Sequence, residues 1–184
     1  MRVTREKAAE NRERILSAAA RLMRERGISG VGVDELAAAA GMTHGSLYSQ
    51  FGSKERLVEE TVGYAVAAKG RELPAALSMG AYVSEYLSAA HRDAQGTGCP
   101  LAALSCDAAR QGEGVRERYT AGVRGMIGRL SSCMATGLKP KQRDEAALAA
   151  TASLIGALVL ARAVNDPKLS DDILRATKKK LTQR

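Results

Sequence analysis

Residues 34–51, DELAAAAGMTHGSLYSQF, read as two short helices joined by a glycine turn. Leu36, Ala37 and Ala40 share one face of a helix spanning Asp34 to Ala40, and Gly41 supplies the sharp turn after it. Thr43 suits the N-cap of the next helix, because its hydroxyl can accept the backbone N–H two or three residues on, and Leu47 and Phe51 continue the apolar face. Upstream, Ile15, Ala18, Ala19, Leu22 and Met23 recur at helical spacing within Arg5 to Arg26, and Gly27 follows where a left-handed residue commonly ends a helix. Downstream, Ser53 can cap a fourth helix whose Leu57, Val58, Thr61, Val62, Ala65 and Val66 keep the same period. Four helices therefore occupy about the first 70 residues.

The remainder also reads as helical. Pro74 suits the first turn of a new helix, which Leu77, Ala81 and Leu87 carry to about Ala94. Gly96-Thr97-Gly98-Cys99-Pro100 breaks it before a short helix from Leu101 to Arg110, closed by Gly112 and Gly114. A long helix follows from Val115 to Gly137, then a turn at Lys139-Pro140-Lys141. An Ala/Leu-rich helix runs from Arg143 to Val164, and a last one, capped by Ser170, carries Ile173, Leu174 and Leu181. The stretch 146–161 is apolar on most sides, so it must be buried within the subunit or against a partner.

Composition removes several classes. The chain has 184 residues, no Trp, one Phe and 33 Ala, which favours helices packed through small side chains over a sheet core. Three cysteines without Cys-x-x-Cys spacing fit neither a disulfide framework nor a zinc ribbon, so no metal or cofactor is expected. The apolar run 146–161 is 16 residues between Glu145 and Arg162, short of the roughly 20 a spanning helix needs, and the N-terminus lacks an apolar secretory segment. A cytoplasmic protein without a membrane partner is the expectation. With only His44 and His91, and no paired-carboxylate or His-x-x-x-His motif, an enzyme is not expected either.

Two helices joined by a glycine turn at this spacing form a helix-turn-helix over about residues 32–51. A helix fits the major groove, its leading side chains reach base edges, and its first N–H groups face phosphate. Thr43, His44, Gly45 and Ser46 lie at the leading end, with Tyr48 and Ser49 flanking the groove. Gly45 costs a helix roughly 1 kcal/mol against Ala, which points to a backbone, of protein or DNA, approaching closely there. Lys54 at a helix N-terminus opposes the helix dipole unless an anion is present, and a phosphate would supply one.

The order and spacing of Arg14-Ile15-Leu16, Ala18-Ala19, Leu22, Gly27, Val33, Leu36-Ala37, Ala40-Gly41, Gly45, Leu47-Tyr48, Phe51 and Ser53-Lys54-Glu55 with Leu57 resemble the TetR family of bacterial transcriptional regulators over about residues 9–69. Gly98-Cys99-Pro100-Leu101, and the stretch from Gly156 to Asp171, look like one subgroup's effector domain. Gly32 and Met23 depart from the pattern, where the family favours Ser or Thr as a cap and Phe in the core. The resemblance implies an all-α fold, in which a three-helix DNA-binding domain is joined by the fourth helix to a helical ligand-binding and dimerisation domain (1–69 and 70–184). It places Thr43, His44, Gly45, Ser46 and Ser49 in the groove and Tyr48 and Lys54 on phosphates. It further implies a homodimeric repressor, held together through helices around 146–161 and 170–181, and released from a palindromic operator by a small-molecule effector.

Tyr82, Tyr86, His91, Cys99, Cys106, Tyr119 and Met126 are the candidate pocket residues. Few aromatics argue against a large stacking box for planar ligands. Cys99 before Pro100, at a helix start, also admits a cysteine-based redox or electrophile sensor on the same fold. A protein–protein adaptor is the rival from a different class. The net charge of +8 divides as +3 over residues 1–56, zero over 57–174 and +5 over 175–184, so most of the excess lies in a solvated C-terminal helix end. DNA binding is argued from the geometry of Thr43 to Lys54, not from total charge.

Overall fold

The computed structural model describes residues 5–72, 78–134 and 139–183, with no strand among them. Its helices are α1 Arg5–Arg26, α2 Val33–Ala39, α3 His44–Phe51, α4 Lys54–Glu72, α5 Met79–Tyr86, α6 Ala89–Asp93, α7 Pro100–Ala108, α8 Glu113–Cys133, α9 Pro140–Ala163 and α10 Pro167–Thr182; a 3-10 turn at Gln95–Thr97 precedes α7. The expected all-helical class holds. Pro74, Leu77, Gly137 and Arg184 lie outside the described residues.

Two apolar clusters organise these helices. In the first, Ile15, Met23, Leu36, Leu47, Phe51, Leu57 and Val62 of α1–α4 close around one another, and Leu104 and Ala108 of α7 and Val115 of α8 complete it. The second joins Tyr82, Val83, Leu101, Met126, Leu130, Leu154, Leu158 and Leu174 of α5 and α7–α10. Helix α4 runs alongside α8, and Gly122 of α8 is one place where the packing leaves no room for a side chain: a Cβ there would lie 2.8 Å from Val66 Cγ1 of α4 and 2.9 Å from Leu101 Cδ2 of α7.

Several local expectations give way to side-chain chemistry. The single helix expected from Leu77 to Ala94 is two, because Ser88 turns the chain extended and its Oγ accepts the His91 N–H at 3.1 Å, starting α6 afresh. Gly114 lies inside the first turn of α8, with Gly112 as N-cap, instead of closing the preceding helix. Lys139-Pro140-Lys141 is a helix start, not a turn, since Pro140 takes the first helical position, where the N–H it lacks would have no partner. Asp166, not Ser170, caps α10, accepting the Leu169 N–H at 3.1 Å. Ser170 is buried inside that helix, donating to the Ala161 carbonyl at 2.7 Å and accepting from Arg92 at 3.0 Å.

The apolar helix expected over 146–161 lies within the longer α9. At 24 residues, with a mean hydropathy of 1.8 over its most apolar stretch, α9 is long and apolar enough to cross a membrane, contrary to the count of uncharged residues alone. In the fold it packs along α8 and α10 with Leu154 and Leu158 wholly buried. It is not buried all round: Leu148 and Leu160 are 52% and 56% exposed.

Candidate nucleic-acid interface and ligand cavity

Helix α2 ends in a Schellman turn. Met42 N–H donates to the Ala37 carbonyl at 2.9 Å and Gly41 N–H to Ala38 at 3.0 Å, which requires Gly41 at φ +64°. The turn sends the chain into α3 with Thr43 extended as N-cap, its Oγ1 3.3 Å from the Ser46 N–H and 2.8 Å from the Ser46 hydroxyl. Leu47 and Phe51 anchor α3 in the core, which leaves Thr43, His44, Gly45, Tyr48 and Ser49 exposed on the opposite side and Ser46 half-buried. The structure thus brings the residues singled out in α3 and its cap onto one outward face. Apart from its chain neighbours and its own helix backbone, no atom of the described residues lies within 4 Å of a Cβ built on Gly45, so no other described segment packs against it.

Lys54 opens α4 beside this face. It is half-buried, and its ammonium donates to the Val31 carbonyl at 3.2 Å, leaving two of its three protons for other acceptors. His44 does not stand free at the leading edge: its Nδ1 is 2.5 Å from Asp34 Oδ1 and its ring stacks on Tyr48 with centroids 5.0 Å apart. Gly32 sits at the N-cap of α2 with no side-chain hydrogen bond to the first turn.

Sequence reading missed what aims α3. Arg14 donates to the Ala40 carbonyl at 3.0 Å, closing the end of α2. Arg12 donates to the Gln50 carbonyl at 2.7 Å at the end of α3, pairs with Glu60 of α4, and lies 4.3 Å over the Phe51 ring. Two arginines of α1 therefore clamp both halves of the helix-turn-helix. Arg12 lies on the half-exposed flank of an amphipathic helix, where sequence alone marks it only as solvated.

A cavity of about 250 Å³ opens between α4, α5, α6 and the start of α7. Four of the seven expected pocket residues, Tyr82, Tyr86, His91 and Cys99, line it. Met126 lines an adjoining cavity of about 140 Å³ that shares Lys69, Tyr82 and Cys99 with the first. Tyr119 and Cys106 line neither. Tyr119 donates to the Leu101 carbonyl at 2.8 Å between the two clusters, and burial pushes its pKa up to about 12. Cys106 is exposed on α7, Cys99 buried, Cys133 half-buried, and all three are free thiols.

His91 organises the cavity. Its Nε2 accepts the Cys99 N–H at 3.0 Å, so the ring is neutral with its proton on Nδ1, which donates to the Tyr86 carbonyl at 2.7 Å. Burial, foremost, lowers its pKa; the Tyr86 carbonyl opposes this, and the charges of Arg162 and Lys69 add to the lowering. Arg162 of α9 donates to the carbonyls of Arg92 at 2.9 Å and His91 at 2.8 Å, tying α6 to the C-terminal helices. Tyr82 and Tyr86 stack 6.0 Å apart, and Tyr86 meets His91 edge-on at 4.7 Å. Burial, then the charge and side-chain contact of the neighbouring Cys99, raises the Tyr86 phenol well above its ordinary value; the Cys99 thiol is beside the hydroxyl without forming a hydrogen bond of normal geometry, and no other described residue supplies one.

Known proteins share this architecture. Residues 15–61, from α1 into α4, match the family described as bacterial regulatory proteins, tetR family. Over 168 residues the chain is 33% identical to an uncharacterised helix-turn-helix transcriptional regulator of Mycobacterium tuberculosis strain H37Rv, spanning 84% of this chain and 86% of that one. It is 28% identical over 137 residues to the transcriptional repressor NemR of Escherichia coli K12, covering 70% and 69% of the two chains. Among solved structures, a TetR family regulator from Agrobacterium tumefaciens has the same fold, with a TM-score of 0.74 at 22% identity over 96% of this chain and 100% of that one. A helix-turn-helix clamped by α1, and a relative aligned along most of both chains, place this protein: it belongs to the TetR family of bacterial transcriptional regulators.

Proposed function

We propose that this DNA-binding regulator is a homodimeric, cytoplasmic repressor without catalytic activity, released from a palindromic operator by a small molecule held in the cavity behind α5 and α6. Residues 1–69 read DNA, and 70–184 bind the effector and form the dimer. The observation that carries the DNA contact is the open space at Gly45. Helix α3 bears a costly glycine on its exposed leading face with no protein atom to justify it, and a DNA backbone or base edge is the partner that can. In this reading Thr43, His44, Gly45, Ser46 and Ser49 face the groove, while Tyr48 and Lys54 hold phosphates. The apolar outer face of α9, with Leu148 and Leu160 exposed, supports dimerisation there, and Leu169 extends it onto α10. Two subunits are needed because each α3 reaches one half-site, and half-sites lie about 34–36 Å apart along the duplex.

Helix α4 is the transmitter in this reading. It starts with Lys54 at the DNA and carries Lys69 into the wall of both cavities, 15 residues or about 22 Å along the helix. The cavity also borders the Gly96–Cys99 turn, whose Gly96 carbonyl accepts from Arg24 of α1 at 2.7 Å. Binding-site selection from genomic fragments with purified protein tests the proposal. A palindromic enriched motif, bound with affinity that falls steeply as salt rises, is expected; no enrichment refutes repression, and salt-independent binding favours an adaptor.

One contact keeps a cysteine-sensing reading in view. Cys106 is exposed immediately before Asp107, whose carboxylate accepts the Ile28 N–H at 3.0 Å and so joins α7 to the end of α1. Mass spectrometry after mild peroxide or quinone treatment, with DNA binding measured in parallel, decides it: unmodified thiols and unchanged binding exclude a sensor.

A further inference from the structure

The cavity holds a buried hydrogen-bond donor without a protein acceptor. Tyr86 is 8% exposed, its hydroxyl is unpartnered among the described residues, and its side chain is one of those that line the cavity. Leaving a buried hydroxyl unsatisfied is costly, and natural structures rarely do so without a ligand or water to complete it. Around it the wall is aromatic: Tyr82, Tyr86 and His91 present stacked and edge-on rings. Two of the chain's five tyrosines and one of its two histidines are gathered here.

Charge gives the space a sign. Lys69 of α4 lines both cavities and bonds to the Thr97 carbonyl at 3.4 Å, and Arg129 of α8 lines the smaller one. Arg162 of α9 lies behind His91, and its charge acts on both His91 and Tyr86. Glu85 of α5 is the one acid among the lining residues of either cavity. The excess of cations favours an anion. Size limits it: about 250 Å³ is below the roughly 300–1,000 Å³ of sites for drug-sized ligands.

We propose that the cavity binds a single-ring aromatic carboxylate, its ring against Tyr82, Tyr86 and His91 and its carboxylate accepting the Tyr86 hydroxyl proton in the field of Lys69. Aromatic faces select the ring, since offset and edge-on pairs are favoured beyond simple burial. The protonated phenol can donate to a carboxylate oxygen, and since it can equally accept, it is the cationic lining, Lys69 foremost, that favours the anion over an amide or an amine. The ligand class deepens the effector reading above and rests on it for its regulatory meaning, though the binding itself is measurable alone.

The test uses the full-length protein and four probes: benzoate, phenylacetate, the neutral benzamide and the cationic benzylamine. Calorimetric titration is expected to show benzoate or phenylacetate binding at least tenfold more tightly than benzamide, with benzylamine not binding. Tyr86→Phe removes only the hydroxyl. Its ligand-free melting temperature is expected to match or exceed that of the unaltered protein, because an unsatisfied buried group is gone, while carboxylate affinity falls about tenfold. A purely structural tyrosine would show the opposite pair of results. Failure of both carboxylates to bind, preference for the amide or the amine, or an unchanged affinity in Tyr86→Phe overturns the proposal. If the carboxylate binds and depends on Tyr86 but leaves selected operator DNA bound, the ligand class is upheld and the effector reading alone is refuted.

Discussion

At Gly45 helix stability and DNA contact pull in opposite directions. Alanine there meets no protein atom and should stabilise α3 by up to about 1 kcal/mol, raising the denaturation midpoint. If the duplex approaches Gly45 as proposed, the same methyl obstructs it and affinity for the selected operator should fall; equal or tighter binding by Gly45→Ala would show that DNA does not come close at that point. Tyr48 is 43% exposed, so Tyr48→Ala removes little packing and is expected to fold and dimerise normally while binding DNA more weakly in a titration at fixed salt. His91 gives a pH signature. Its folded pKa is lowered, so folding favours the neutral ring, and this contribution is present above the unfolded value near 6.5 and is lost as pH falls below it. The stability difference between the unaltered protein and His91→Gln should therefore shrink between pH 7.5 and 5.5, by at most about 1.4 kcal/mol per pH unit; urea midpoints across that range measure it.

Helices here are positioned by what crosses between them. Gly122 lets α8 lie against α4, and Gly122→Ala pits about 1 kcal/mol of helix propensity against overpacking of Val66 and Leu101, which typically costs about 1–3 kcal/mol. The expected outcome is a less stable protein with altered operator affinity, because α4 must shift and it carries Lys54; a thermal melt above that of the unaltered protein would show the contact to be slack. The arginine clamp has the same logic in α1. Arg12 and Arg14 hold carbonyls at the ends of α3 and α2, so each sets the angle of the recognition helix without facing the groove itself.

For the whole molecule the question is what covers α9. Leu148 and Leu160 lie on its outer side, while Ala147, Ala150, Leu154 and Leu158 are buried within the subunit. Leu160→Glu is expected to leave helix content intact, yield monomers in sedimentation velocity and weaken operator binding by roughly 10² or more, because two linked half-sites become one. A dimer that persists would move the interface elsewhere. Salt dependence belongs to this scale too, since for the proposed dimer it would count phosphates neutralised by both subunits together.

The sequence by itself determined the helix-turn-helix, because its causes are local. Leu36, Leu47 and Phe51 set the period, Gly41 alone can take the left-handed turn, and Thr43 caps its own helix. Tertiary structure decided what depends on distant partners. The break at Ser88, the cap at Asp166 and the burial of Ser170 depend on which of several competent polar side chains finds a donor or acceptor in space. The cavity was half legible: Tyr82, Tyr86, His91 and Cys99 converge, whereas Tyr119 and Cys106 lie on helices whose rotation turns them elsewhere. Helical periodicity says which residues share a face, but the packing angle of one helix on another says which faces meet. That angle follows from contacts as distant in sequence as Arg24 with Gly96 and Gly122 with Val66.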